Sequence, residues 1–273
     1  MSNLELVLDK LDSKDIDGAV DIINSQKPKK ISKYINIDKY YEETIKNLKD
    51  KKLFFSQITK FNDKNEYQNS IYQIETKKDE IISKDIEKKQ FRDLVCCFTQ
   101  RIEDDIVMWT RYAHMSSGIK LVFEIIDNRN INNVYYYDKK IEIKKNIKSN
   151  DIDNEINKIR NDLNTCIKLS QWEYEKECRV IIKRENLNEF MMDKNIKYEN
   201  IGIKLTEIVI GSKCKYKKEI QDIAEIQNIK ISYEKENIKL EDNDLYLWEK
   251  YTETFNLKNN EDKLYYKTIL NSF

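Results

Sequence analysis

The chain is poor in several things at once. Its 273 residues hold one histidine, one proline and four glycines, and 49 Lys+Arg balance 49 Asp+Glu to leave no net charge. A single histidine gives little support to a His-based metal centre. Balanced charge supplies no global basic field for nucleic acid or an anionic membrane, so a nucleic-acid partner is not indicated and any such contact would be local. Long apolar runs are missing too: no window approaches the roughly 18 residues a membrane span needs. MSNLELVLDKLDSKD carries charges every few residues and no apolar signal core, so the expected location is the cytoplasm, with no membrane partner. The cysteines Cys96, Cys97, Cys166, Cys178 and Cys214 are odd in number and lack CxxC spacing, which argues for small buried thiols over a disulfide framework or zinc site. Scarce Gly and Pro beside abundant Lys, Asn and Ile matches A/T-rich codon usage as much as structural need.

What is present suffices for a core. Apolar residues make up 40% of the chain, with 17 Tyr and 9 Phe, which argues against disorder despite 36% charged residues. The length equals about two average domains, yet mixed folds of this size often form one body. Leu4, Val7, Leu8 and Leu11 share a helical face, and Ser13 or Asp15 can cap a second helix carrying Ile16, Val20 and Ile23. The expected organisation is an N-terminal helical hairpin (1–28), a main domain (29–235) and a C-terminal tail (236–273) packing on it. Within the main domain, Asp38 is a candidate cap for a helix through about Leu48. Leu53 to Gln57 and LVCCF read as strands, a charged helix is expected from about Lys77 to Gln90, and Asp104-Asp105 should open a helix through His114. That helix should be backed by the LFFSQ and CRVII strands. IKLVFEI and VYYYDKKIEIK alternate with period two, a polar helix is expected from about Ile152 to Leu169, and ECRVIIK, LTEIVIG and IKISYEKE supply further strands. The fold class expected is α+β, a mixed sheet packed by helices.

Two stretches carry the chemistry. If QWEYEKECRVIIK is extended, Glu173, Glu175, Glu177 and Arg179 share one face, and three carboxylates at two-residue spacing repel unless something positive offsets them. Arg179 offsets part of that charge; a cationic ligand, a metal or a developing positive charge could offset more. A solvent-facing strand edge that deters aggregation is the plainer alternative. If the stretch is helical, Glu173 and Glu177 become an i,i+4 pair. In the second stretch Trp109, Tyr112 and Met115 form an i, i+3, i+6 aromatic ridge, a pattern more often core than pocket. Arg111, His114 and Ser116-Ser117-Gly118 add polar groups at its edge, and flat rings beside a few polar groups suit a nicotinamide or adenine ring. His114 also reads as an exposed helix-terminal residue, Ser56 as a satisfied core hydroxyl, and Asn62-Asp63 as an Asx turn.

These motifs together resemble the bacterial domain-of-unknown-function family 2971. The resemblance is carried by Lys33-Tyr34, Phe55-Ser56, Asn62-Asp63-Lys64-Asn65-Glu66, Met108-Trp109 to Tyr112-Ala113, Gly118, Trp172 to Arg179, and Ile208-Val209-Ile210-Gly211, in order over residues 30 to 230. Lys64-Asn65 departs from the family's Pro-Phe, which frees the loop backbone and removes an anchor. The resemblance implies a bacterial source, and no settled reaction.

Three function classes fit these parts. An ADP-ribosyltransferase-like or NAD-hydrolysing enzyme needs a carboxylate for ribose hydroxyls and an oxocarbenium-like transition state, an aromatic surface for nicotinamide, and no metal. Glu175 would be the principal carboxylate, Glu177 its partner and Arg179 the group holding the cluster or a phosphate, with Lys33, Tyr34, Ser56, Asn62, Asp63, Trp109, Tyr112 and His114 binding the nucleotide. On that reading NAD is substrate, no cofactor is held tightly, the ligand is a small molecule or nucleotide, and a toxin or antiviral effector role is compatible. A metal-dependent nuclease could use Asp127 or Asp138 with Glu142-Ile143-Lys144. A non-catalytic binding or sensor module is the third class.

Overall fold

The structure, a computed structural model, describes residues 2–61, 70–72, 93–137, 143–145, 151–183 and 194–235. Asn62-Asp63, the segment Lys77 to Gln90, Asp138, Glu142 and the tail 236–273 lie outside the described residues.

The hairpin forms as its caps dictate. Helix α1 (Asn3–Asp12) opens on a capping box in which the Ser2 side chain accepts from Glu5 N while Glu5 accepts from Ser2 N. Helix α2 (Ile16–Ser25) is capped by Asp15, whose Oδ1 accepts from Gly18 N at 3.0 Å. Leu4, Val7 and Leu11 bury completely with Ala19 against Ile156, Leu163 and Ile167, so the hairpin shares a core with α5 (Asp151–Asn164) and the strand β10 (Ile167–Leu169). The expected polar helix through Leu169 stops at Asn164. Ile167-Lys168-Leu169 instead pairs in parallel with β8 (Tyr135–Tyr137), because its apolar alternation is worth more against a strand edge.

The central sheet is mixed. Its order is β14 (Lys230–Tyr233), β13 (Ile203–Ile210), β6 (Ile119–Ile125), β1 (Lys30–Ile35), β5 (Leu94–Thr99), β11 (Glu177–Ile182), β7 (Ile131–Asn133). Every pairing along this path is antiparallel except β13 with β14. Together with the helices it makes the fold α+β, as the sequence leads one to expect. Helices α3 (Tyr41–Lys49) and α6 (Lys217–Gln227) bury Ile45, Leu48, Ile220 and Ile223 in a core that includes Ile31, Phe123, Val180 and Ile208. The cap expected of Asp38 is not made. Tyr40 occupies the N-cap position of α3 without a side-chain bond, and Asn36 Oδ1 accepts from Lys39 N in the turn before it.

LFFSQ is not one strand. β2 (Lys52–Phe54) pairs with β12 (Asn195–Lys197), while β3 (Ser56–Gln57) crosses to β5, with Phe55 fully buried at the switch. Of the period-two run from Val134, the described residues form β8 and β9 (Ile143–Lys145), the latter parallel to β4 (Ser70–Tyr72).

One irregularity positions the site. β1 and β6 stay paired over six residues, but β1 and β5 meet only at Ser32 and Thr99. β3 takes the same edge of β5 further along, opposite Val95 and Leu94. Between these two contacts the sheet parts, and the Lys33 ammonium reaches across to donate to Cys97 O at 2.9 Å.

Candidate functional site

The parting of β1 from β5 opens a cleft of about 560 Å³, within the ordinary range of ligand pockets. Its walls come from β1 (Lys33, Tyr34), β5 (Cys97, Phe98), α4 (Ile106–Tyr112) and the segment 168–179.

Helix α4 is set by the two aspartates that precede it. Asp105 Oδ1 accepts from Val107 N and Met108 N, while Asp104 Oδ1 takes the buried Lys120 ammonium at 2.6 Å. The helix ends at Tyr112 rather than His114, because His114, Met115 and Ser116 all adopt positive φ, and Gly118 N donates back to Ala113 O. The expected ridge therefore splits. Trp109 turns inward, fully buried and edge-on to Tyr34 with centroids 5.1 Å apart; Tyr112 faces the cleft; Met115 has left the helix. The helix packs chiefly on β1, not on the LFFSQ and CRVII strands.

The carboxylate segment is not extended as a whole either. Ser170–Glu175 forms a 3-10 helix, Lys176 takes a left-handed conformation (φ 42, ψ 50), and β11 begins only at Glu177. Glu173 is consequently exposed and pairs with Lys176, whereas Glu175, Glu177 and Arg179 are buried together. Lys168 joins them: its Nζ lies 2.6 Å from Glu175 Oε2 and 2.9 Å from Glu177 Oε2. Arg179 Nε donates to Glu177 Oε1 at 2.7 Å, and Tyr112 OH and Tyr174 OH donate to Glu175 Oε1. Thr99 Oγ1 donates to the Glu175 carbonyl at 2.6 Å, tying the 3-10 turn to the end of β5.

The two acids titrate in opposite directions. Burial pushes the Glu175 carboxyl up despite the Lys168 ammonium beside it. Burial acts on Glu177 too, but the Arg179 and Lys168 charges outweigh it and hold that carboxyl well below the usual range. Burial, then the Glu175 charge, drives the Tyr112 phenol well up, so it stays a donor.

Among the described residues, cations outnumber acids along the cleft: Lys33, Lys60, Arg111, Lys168 and Arg179 face Glu175 and Glu177. Arg111 lies over the Trp172 ring at 4.9 Å and bonds the Tyr174 hydroxyl. Among the described residues no group of three or more His, Cys, Asp or Glu side chains is placed to hold a metal ion.

Of the residues singled out in the sequence, the cleft brings together Lys33, Tyr34, Tyr112, Glu175, Glu177 and Arg179. Trp109 lies behind it, supporting Tyr34. Ser56 bonds Gln57 O on β3, His114 is exposed beyond α4, and neither lines the cleft. Asp127 is half-buried and paired with Arg129 beside a different cavity. Lys168 falls within the helix expected through Leu169, and its one local signal is that it stands as a lone lysine between Ile167 and Leu169, just ahead of Trp172. No helix among the described residues is long and apolar enough to cross a membrane. No protein-family model, curated protein or solved structure matches this chain, so the site is read from its own chemistry.

Proposed function

We propose that the cleft binds NAD and that the protein cleaves its nicotinamide–ribose bond, passing the ADP-ribosyl group to an acceptor or to water. The observation that carries this reading is Glu175, a buried carboxylate at the foot of a cleft with aromatic walls and an excess of positive charge. When the C–N bond breaks, its electron pair neutralises the pyridinium of nicotinamide, and the sugar carbon becomes cationic. A carboxylate aimed there stabilises that charge, and the acceptor's proton is lost as its new bond to the sugar forms. Tyr112 and Tyr174 hold Glu175 in place, Glu177 and Lys168 are positioning residues, and the wall cations suit the diphosphate.

Lys33, Tyr34, Met108, Tyr112, Trp172, Glu175 and Glu177, all part of the motifs resembling family 2971, line this one cleft, which supports keeping that resemblance as a proposal. A toxin or defence role would follow from NAD consumption, and expression in a host cell should then deplete its NAD. One observation favours a second reading. Both Glu175 oxygens already hold internal bonds, as a non-catalytic binding module would have them.

Incubation with NAD, with and without chelator, tests the proposal. Wild type should consume NAD in both conditions, and Glu175→Gln should lose roughly two to three orders of magnitude in rate while staying folded. NAD left intact across a panel of protein and nucleic-acid acceptors would favour the binding module.

A further inference from the structure

We propose that the ligand of this site is a two-ringed molecule joined through a diphosphate, lying across Lys33 and Arg111 with one end beside Glu175 and the other in a second cavity under α3. The inference rests on the nucleotide reading above and adds how the ligand is divided.

A cavity of about 640 Å³ adjoins the cleft, bounded by α3 and β2. Lys33, Tyr34, Tyr40, Arg111 and Tyr112 line both spaces and so form the waist between them. The charge pattern along this path is the informative part. Among the described residues the waist carries two cations and no acid, whereas each end sets acids beside further cations: Glu175 and Glu177 with Lys60, Lys168 and Arg179 in the first space, Glu43 with Lys39 and Lys52 in the second. A ligand with its negative charge in the middle and hydroxyl-bearing sugars on either side matches this order, since carboxylates accept from hydroxyls and repel phosphates. A mononucleotide, with its phosphate at one end, would satisfy only half of it.

The waist cations are held ready. Arg111 is fixed over Trp172 and Tyr112, at 4.9 and 5.7 Å. Lys33 spans the parted strands to Cys97 O, and an ammonium carries three protons, which leaves capacity for a phosphate oxygen. Each end has an aromatic residue in its wall, Trp172 in the first space and Tyr198 in the second.

Calorimetric titration of the full chain at fixed ionic strength tests this, using NAD, diadenosine diphosphate, AMP, nicotinamide mononucleotide and inorganic diphosphate. Both dinucleotides should bind at least about tenfold more tightly than either mononucleotide or inorganic diphosphate, roughly 1.4 kcal/mol. Glu43→Trp, which fills the second space from a half-buried helix position, should weaken the dinucleotides about tenfold and leave nicotinamide mononucleotide unchanged. Lys33→Ala should bring the dinucleotides down to the level of the mononucleotides. A mononucleotide or inorganic diphosphate that binds as tightly as NAD would overturn the inference, as would full dinucleotide affinity in folded Glu43→Trp. The wild-type series needs no variant to fold. NAD bound in this hierarchy but never consumed defeats only the proposed reaction; NAD consumed without the hierarchy defeats only the two-space ligand.

Discussion

Arg179 and Glu177, two residues apart on one strand, close on each other through two bonds, Nε to Oε1 at 2.7 Å and Nη2 to Oε2 at 3.2 Å. Side chains at i and i+2 share a strand face, so this fork is local to β11 and fully buried. Glu175 sits just before the strand, across the left-handed Lys176, and leans on Lys168 and two phenols instead. One acid is therefore locked by a guanidinium, while its neighbour is held only at the cost of burial.

The two should respond oppositely to neutralisation. Glu177→Gln leaves Arg179 buried without its anion and should destabilise the fold by about 3–5 kcal/mol at pH 7. Glu175→Gln removes a carboxylate whose burial opposes ionisation, and should leave the urea midpoint unchanged or higher. The signs follow from linkage. The depressed Glu177 carboxyl contributes stability above the unfolded value that is lost as pH falls below the ordinary carboxylate range. The raised Glu175 carboxyl costs stability as pH climbs through its folded value. Equal losses in both variants would contradict this account.

If Glu175 acts ionised, NAD consumption should rise with pH through its raised folded value, placing the acid limb above the ordinary glutamate range of about 4.3. Tyr112→Phe removes a bond that favours the charged form and should move the limb higher still. A limb at or below the ordinary range would remove Glu175 from the role.

Trp109 and Tyr112 are neighbours on one helix with different duties. Trp109→Ala should cost about 3–5 kcal/mol in thermal or urea unfolding, since the ring is fully buried against Tyr34. Tyr112→Phe should stay within about 1.5 kcal/mol of wild type and reveal itself in ligand binding or rate. Equal stability losses would mean the helix has no division between core and site.

Gly118 is required by close approach. A β-carbon there would stand 2.1 Å from Ile35 O and 3.0 Å from Ala113 O, both backbone atoms that cannot swing away. Gly118→Ala should destabilise the chain by roughly 1–3 kcal/mol and disturb the turn after α4. Unchanged unfolding would show that the β1 end and this turn can separate freely.

Strong local signals made much of the fold legible. Asp15 and Asp105 cap helices because an aspartate ahead of an apolar stretch has few other uses, and IKLVFEI forms a strand because both of its faces are buried. What misled was choice of partner. Nothing local says that LFFSQ changes partners at Phe55, that Ile167 to Leu169 prefers β8 to continuing α5, or that Lys176 turns left-handed without glycine. Glu175, Glu177 and Arg179 were recognisable as costly residues at tight spacing. Lys168, the cation that makes their proximity tolerable, comes from a different element and becomes visible only once the chain is folded.

The parting of β1 from β5 also bears on how this protein could change. A cavity carved by large-to-small side chains vanishes when one of them grows back, but this one is inherited from the strand order: β1 committed to β6, β3 and β11 committed to β5. The gap should persist through substitution of almost any side chain that faces it. Positions such as Lys60 and Tyr40 are thereby released to explore new chemistry on a mould that their own identity does not have to maintain.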